Sequence, residues 1–274
     1  MPVKGEWIRY GDQLGYLVMP EHAAAPLPGV VAIHDLLGLG DHVTDVARRV
    51  AASGYAVLVP DLFAVEGVRP VPLRQERIDE AMGFLGRLPA NARFDEAIRQ
   101  RELAKLPEAE GLQIRETLGQ VMAFAAPGRL RGWVGPLKLA VRHLRHERPE
   151  TRGQRVACMG EELAALLACE EPDLSGAAIF YGAGPLVGRS AEVHCPVIAF
   201  YGGRDTQGCS ALADFADGMR AAGKAFECHT YEGAGRGFFH DGKPDFYDVG
   251  ASRDSFARLL GFFLRTLAEQ SGGS

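Results

Sequence analysis

The side chains that could do chemistry in this 274-residue chain gather in four short, mostly glycine-containing segments. They are Ile33-His34-Asp35-Leu36, Cys158-Met-Gly160-Glu-Glu162-Leu163, Gly202-Gly-Arg-Asp205 and Tyr231-Glu-Gly-Ala-Gly-Arg236-Gly-Phe-Phe. Together they offer four kinds of group. Cys158 offers a thiol, a nucleophile only as its thiolate. Asp35, Glu162 and Asp205 offer carboxylates. His34, and His240 just past the last segment, offer imidazoles that take and return protons near neutral pH. Arg236 offers five donors, no acceptor and a permanent charge. It can grip a carboxylate in a bidentate fashion but cannot act as a base.

Other chemistries find little support. The histidines are scattered, and no H-E-x-x-H or Cys/His cluster occurs, so no metal and no cofactor is expected. Gly202-Gly-Arg-Asp is too short for a phosphate loop. The formal charge is −5, with no basic excess to draw in nucleic acid or an anionic membrane. Arg142, Arg145, His146 and Arg148 read as a solvated helix face. The N-terminus lacks the apolar core of a signal peptide. No apolar stretch reaches the ~20 residues of a membrane helix. Five cysteines with no C-x-x-C spacing suggest reduced thiols and a cytoplasmic protein. The expected partner is a small-molecule ligand or substrate. Ser271-Gly-Gly-Ser274 reads as a frayed tail.

The elements that must position these groups alternate. Leu14–Met19, Val30–Ile33, Tyr55–Val59, Arg155–Met159, Ala177–Tyr181, Val197–Tyr201 and Phe226–Tyr231 are short apolar runs that read as strands. Helices are expected over Val43–Ser53, Glu161–Cys169, Leu212–Ala222 and Ser252–Leu267. This order means a mostly parallel sheet covered on both faces. Sites in such sheets lie beyond the carboxyl ends of the strands. Residues 61–150 break the pattern. Helices are expected there near Glu76–Leu88, Phe94–Leu106, Ile114–Phe124 and Pro136–Arg145, with Pro89, Pro107 and Pro127 between them. A linker is expected at Ala23–Pro28.

In these segments and their order, over most of residues 5–65 and 137–268, the chain resembles the dienelactone hydrolase family of α/β-hydrolases. The resemblance implies one α/β-hydrolase domain over 1–274, with 64–135 as a mostly helical insertion or cap. It implies a triad acid at Asp205, an acidic residue at Asp35 and an oxyanion-binding amide at Leu36. The family's histidine falls on Arg236. Two alignments compete at the nucleophile elbow. One keeps Cys158 as nucleophile but leaves only Arg155–Ala157 as strand. The other takes Gly160 as the first glycine, puts Glu162 at the nucleophile position with Leu163 after it, and lets Ala164 stand for the second glycine. The second fits strand length better. The three positions then hold Glu162, Asp205 and Arg236, and an ion pair between Glu162 and Arg236 is expected, with Asp205 on the other edge of the guanidinium.

Three functions stay open on this basis. The protein acts on or binds a small carbonyl, lactone or carboxylate compound by a non-hydrolytic or altered mechanism, using Glu162, Arg236 and Asp35. Or it is a working esterase or lactonase with a relocated base, His34 or His240, or with Cys158 as nucleophile. Or it is a non-catalytic partner-binding protein. The insertion reads as a cap over the site, a homodimer contact or a surface excursion. Arg69 and Arg74 are candidates to reach an anionic ligand, and Phe124 and Trp133 read as cap-packing residues.

Overall fold

Apolar runs of four to six residues, too short for helices and rich in branched side chains, pack here as parallel strands buried on both faces. The structure is a computed structural model, and it describes residues 1–22, 26–89, 95–124, 126, 129–182 and 188–268. The start of the expected Ala23–Pro28 linker, Phe94, Pro127 and the tail Ser271–Ser274 lie outside the described residues. Eight strands form one sheet: β1 (Val3–Tyr10), β2 (Gln13–Pro20), β3 (Gly29–Ala32), β4 (Ala56–Pro60), β5 (Val156–Gly160), β6 (Gly176–Phe180), β7 (Val197–Gly202) and β8 (Phe226–Tyr231). Their order is β1-β2-β4-β3-β5-β6-β7-β8. β1 pairs antiparallel with β2, and β2 with β4; every other pairing is parallel. This is the mostly parallel α/β-hydrolase sheet expected from the sequence.

Alternation along the strands divides the core in two. Val30, Val57, Val59, Ala157, Ala178 and Ile198 face one layer, covered by α1 (Asp41–Ala51) and α8 (Val249–Leu267). Val31, Leu58, Cys158, Ala177, Ile179 and Ala199 face the other. That layer is covered by α5 (Val134–Arg142), α6 (Glu162–Glu170) and α7 (Thr206–Ala221). Cys158 therefore lies mid-strand and fully buried, its sulfur 3.6 Å from the Ala164 carbonyl oxygen. Burial pushes its thiol well above the ordinary range.

Two boundaries differ from expectation for one reason. α7 begins at Thr206, six positions before Leu212, because Asp205 caps it by accepting from Gly208 N at 3.1 Å. α4 (Glu108–Phe124) likewise begins before Ile114, with Glu108 and Glu110 in its first turn. Acidic residues favour a helix N-terminus without adding apolar periodicity. β1 was not expected as a strand. It is an edge strand of mixed exposure with no apolar run, and its exposed Trp7 rests on Tyr16. Among the described residues no helix is long and apolar enough to cross a membrane.

Between β4 and β5 the chain adds α2 (Gln75–Arg87), α3 (Glu96–Leu103) and α4 before α5 returns to the sheet. These helices share a small core of Ala81, Phe84, Leu88, Leu103, Ile114 and Leu118. Ile78, Val121 and Phe124 join it to the main core. Phe124 packs on Phe63, Trp133 and His34, with ring centroids 4.8, 4.5 and 6.0 Å apart. Arg69 does not point toward a ligand. Its Nε donates to Asp61 Oδ2 at 2.9 Å, and the two side chains are 12% and 1% exposed. Arg69 also donates to Gln75 Oε1, and Gln75 donates to the Leu37 carbonyl and to Asp79. This chain of bonds fastens the start of α2 to the loop after β3. Arg69→Met would leave Asp61 buried without its cation, so a loss of about 3–5 kcal/mol in unfolding free energy is expected. Urea denaturation of variant and wild type checks this.

Candidate active site at the strand ends

The turn between β5 and α6 is the tightest point of the sheet's carboxyl edge. A Cβ at Gly160 would stand 2.9 Å from Ile33 Cβ, and one at Gly182 would stand 2.6 Å from Glu162 N. Only glycine fits at either place without displacing backbone or core. Ala164, fully buried, packs opposite Gly160. The strand-to-helix turn thus falls at Gly160–Glu161, as the second alignment expects, and Cys158 lies inside β5, away from it. The turn is not a strained elbow: Glu161 has φ −95°. Among the described residues the non-glycine residues with positive φ are Glu66 and Tyr181.

Glu161 and Glu162 stand at the N-terminus of α6, where backbone N–H groups favour negative charge. Asp205 follows β7, and Arg236 lies in the loop after β8. The fold brings all four together. Arg236 Nη2 donates to Glu161 Oε2 at 2.6 Å and lies 3.5 Å from Glu162 Oε1. Arg236 Nη1 lies 3.8 Å from Asp205 Oδ2 and donates to the Tyr181 carbonyl at 3.4 Å. The short contact is to Glu161, which the alignment had passed over. Its signal was present in the doubled acid after Gly160: successive residues at a helix start point in different directions, so either could have faced the site.

Glu161 and Arg236 border a cavity of about 880 Å³ whose walls also include Tyr181, His34, Asp35 and Gln75. α2 of the insertion supplies Gln75, Asp79 and Met82 to that wall. Glu162, Asp205, Leu36 and Leu163 are not among the lining residues. Leu163 packs its side chain in the core, and Leu36 turns its side chain outward. Asp35 folds its carboxylate back to accept from Leu37 N at 2.7 Å. Arg74 precedes α2 and is not on the cavity wall.

Burial pushes Glu161 up to about 7; Arg236 opposes the shift, while Glu162 and Asp35 add to it. The side chain keeps 30% of its surface open, so water tempers this rise, and the 2.6 Å contact favours the ionised form. The direction follows first from burial, with the charges of Glu162 and Asp35 adding to it. For Arg236 partial burial works against the charge, but Glu161 and Glu162 outweigh it and its pKa rises. It stays a cation.

Neither histidine is placed as a base for Glu162. His34 is buried and held at both nitrogens: Leu62 N donates to Nε2 at 3.0 Å, and Nδ1 lies 2.8 Å from the Asp35 carbonyl oxygen. That network assigns the proton to Nδ1 and leaves no free acceptor. Desolvation lowers its pKa. His240 stacks on His42, centroids 3.8 Å apart, and burial pushes it down to about 4. Scattered as the histidines are in sequence, the fold gathers His42, His240 and Asp241 with potential ligand atoms within 4.8 Å of one another.

Residues 14–267 match the family model described as the dienelactone hydrolase family. The chain belongs to the dienelactone hydrolase family. It is 28% identical over 255 residues to a Saccharolobus solfataricus protein named "Putative carboxymethylenebutenolidase", covering 91% of this chain and 93% of that one. Among solved structures it resembles a dienelactone hydrolase-family protein from Klebsiella pneumoniae, with TM-score 0.64, 21% identity and coverage of 97% and 100%. It also resembles the dienelactone hydrolase-like promiscuous phosphotriesterase P91 from metagenomic libraries, with TM-score 0.61, 20% identity and coverage of 97% and 99%. At such identities the two structures support the fold alone.

Two measurements probe this dienelactone hydrolase-family site. Arg236 is 47% exposed, so its pairings belong with partly solvated bridges rather than buried ones. Double-mutant cycles should give a coupling of about 0.5–1 kcal/mol for Glu161 with Arg236, and less for Glu162 with Arg236. The second is a pH profile. The folded pKa of Glu161 lies above its ordinary 4.5, so between about 4.5 and about 7 the folded state holds more protons. The contribution of this group to stability is present at acid pH and is lost as pH rises through that window. Glu161→Gln should gain stability relative to wild type across the same window, read by chemical denaturation at each pH.

Proposed function

We propose that this family member takes a small lactone, carbonyl or carboxylate compound into the cavity and acts on it by proton transfer rather than by triad hydrolysis. One observation carries the reading: a guanidinium, 2.6 Å from a pocket-lining carboxylate, stands in the loop where hydrolysis needs a proton acceptor. A cation with no lone pair cannot activate a nucleophile or a water. It can hold an anionic oxygen, either a ligand carboxylate or the enolate formed from a carbonyl. Glu161, raised toward neutrality, can take a proton from the carbon beside that carbonyl and return it to another position. Glu162 and Asp205 would hold Arg236 from its other sides. Cys158, sealed within β5, does not support a thiol nucleophile. The five unpaired thiols support a reducing, cytoplasmic setting.

The names of the relatives suggest the probe. Carboxymethylene-butenolide carries a lactone and a carboxylate but only vinylic hydrogens, so its dihydro form, with a CH2 beside the lactone carbonyl, is the probe of proton transfer. Wild-type protein incubated with the dihydro form in deuterated buffer should exchange carbon-bound hydrogen or isomerise the ligand, followed by proton NMR. Glu161→Gln should reduce that rate at least about 100-fold, the lower range for a positioned acid–base group. Arg236→Gln should weaken binding. Ring opening by the wild type, or turnover of p-nitrophenyl esters abolished by Glu162→Ala or Cys158→Ala, would replace this reading with hydrolysis.

A further inference from the structure

One cluster on the cavity wall lies outside the proposed chemistry. We propose that His42, His240 and Asp241 form a three-ligand site for a divalent transition-metal ion, of which zinc is the type, on the wall of the same cavity. His42 sits in the first turn of α1, and His240 and Asp241 lie in the loop between β8 and α8. All three line the cavity. Two imidazoles and one carboxylate are a zinc donor set, and such sites leave a fourth position open to water or ligand.

Geometry, bonding and surroundings point the same way. Metal–ligand bonds of ~2.0–2.1 Å in a tetrahedron put the ligand atoms ~3.3 Å apart. His42 Nδ1 and Asp241 Oδ1 already stand 3.4 Å apart, and the three ligand atoms lie within 4.8 Å of one another. His240 Nδ1 is buried without any hydrogen-bond partner among the described residues. An orphaned ring nitrogen is costly unless something uses it. The two rings lie parallel at 10°, so one turns out of the stack for both nitrogens to reach a single ion.

Two cations flank the site, and its arrangement accommodates the nearer one. Arg49 Nη2 lies 3.8 Å from Asp241 Oδ2, the oxygen opposite the one that faces His42. Its Nε pairs with Asp45 at 2.9 Å, and its guanidinium lies over Phe239 and Phe256. Arg49 thus fixes the carboxylate from behind and leaves Oδ1 to the metal. Such an outer partner orients a ligating carboxylate. Lys243 is the second cation, in the same loop as His240 and Asp241.

The site is independent of the proton-transfer proposal, and its test reads binding alone. Protein dialysed against a chelator and then out of it would be titrated with Zn²⁺ by calorimetry. In parallel, Co²⁺ would be followed by the visible absorption of a four-coordinate ion. One equivalent should bind, with a cobalt band that zinc abolishes. His42→Ala, His240→Ala and Asp241→Asn should each weaken affinity at least about tenfold, the loss that even outer-shell changes cause. His194→Ala, on the surface, should change nothing. Circular dichroism checks that each variant folds, and Asp241→Asn, which alters only an exposed carboxylate, serves if a histidine variant does not. No binding to the folded wild type, or equal affinity in the folded variants, would overturn the site and leave the rings as a structural stack.

Discussion

Three carboxylates converge at the carboxyl ends of β5 and β7, and a fixed positive charge is the condition for that convergence. Glu161 and Glu162 come with the start of α6, and Asp205 with the start of α7. The N–H groups of the two helix ends offset part of the repulsion. Asp205 Oδ1 is satisfied in this way, while its buried Oδ2 has no hydrogen-bond donor among the described residues and looks toward Arg236 from 3.8 Å. A histidine in that loop would lose its charge near neutral pH. An arginine cannot, so the cluster holds together across the physiological range.

The cluster in turn depends on close backbone approach. Gly160 lies against Ile33, and Gly182 against the first peptides of α6. Tyr181, the residue before Gly182, has φ +63° and reaches the loop after β8 at two points. Its carbonyl accepts from Arg236, and its hydroxyl accepts from Phe239 N at 2.8 Å. The loop that carries the cation is therefore held by the strand beside it. The insertion closes the opposite wall: the Asp61–Arg69–Gln75 chain sets the start of α2, and α2 brings Gln75, Asp79 and Met82 to the cavity.

The fold was legible because its strands are short apolar runs separated by helices, a pattern that depends on local residues. β1 escaped because an edge strand need not be apolar, and the early start of α7 escaped because a cap and a polar first turn leave no periodic mark. The site was half legible. Motif order pointed to Arg236, Asp205 and Glu162, and the fold sets both carboxylates within 3.8 Å of the guanidinium. It could not point to Glu161, because which of two adjacent acids faces a cavity depends on the angle at which the strand hands over to the helix. His42 and His240 were harder still. Nothing local joins a residue of the first α-helix to one near the last, and only the closed sheet brings them side by side.

Charge complementarity at Arg236 also bears on how such a site can change. Consider a cysteine–histidine ancestor and exchange one position at a time. Putting an acid at the turn first sets it beside Asp205 with no permanent counter-charge. Putting the arginine first leaves a cation with Asp205 alone and removes the base. In either order the intermediate holds an acid or a cation without its full set of counter-charges, so the effects of exchanging these positions are expected not to add. The same coupling makes return difficult: restoring histidine at position 236 alone would strand the carboxylates rather than rebuild a triad.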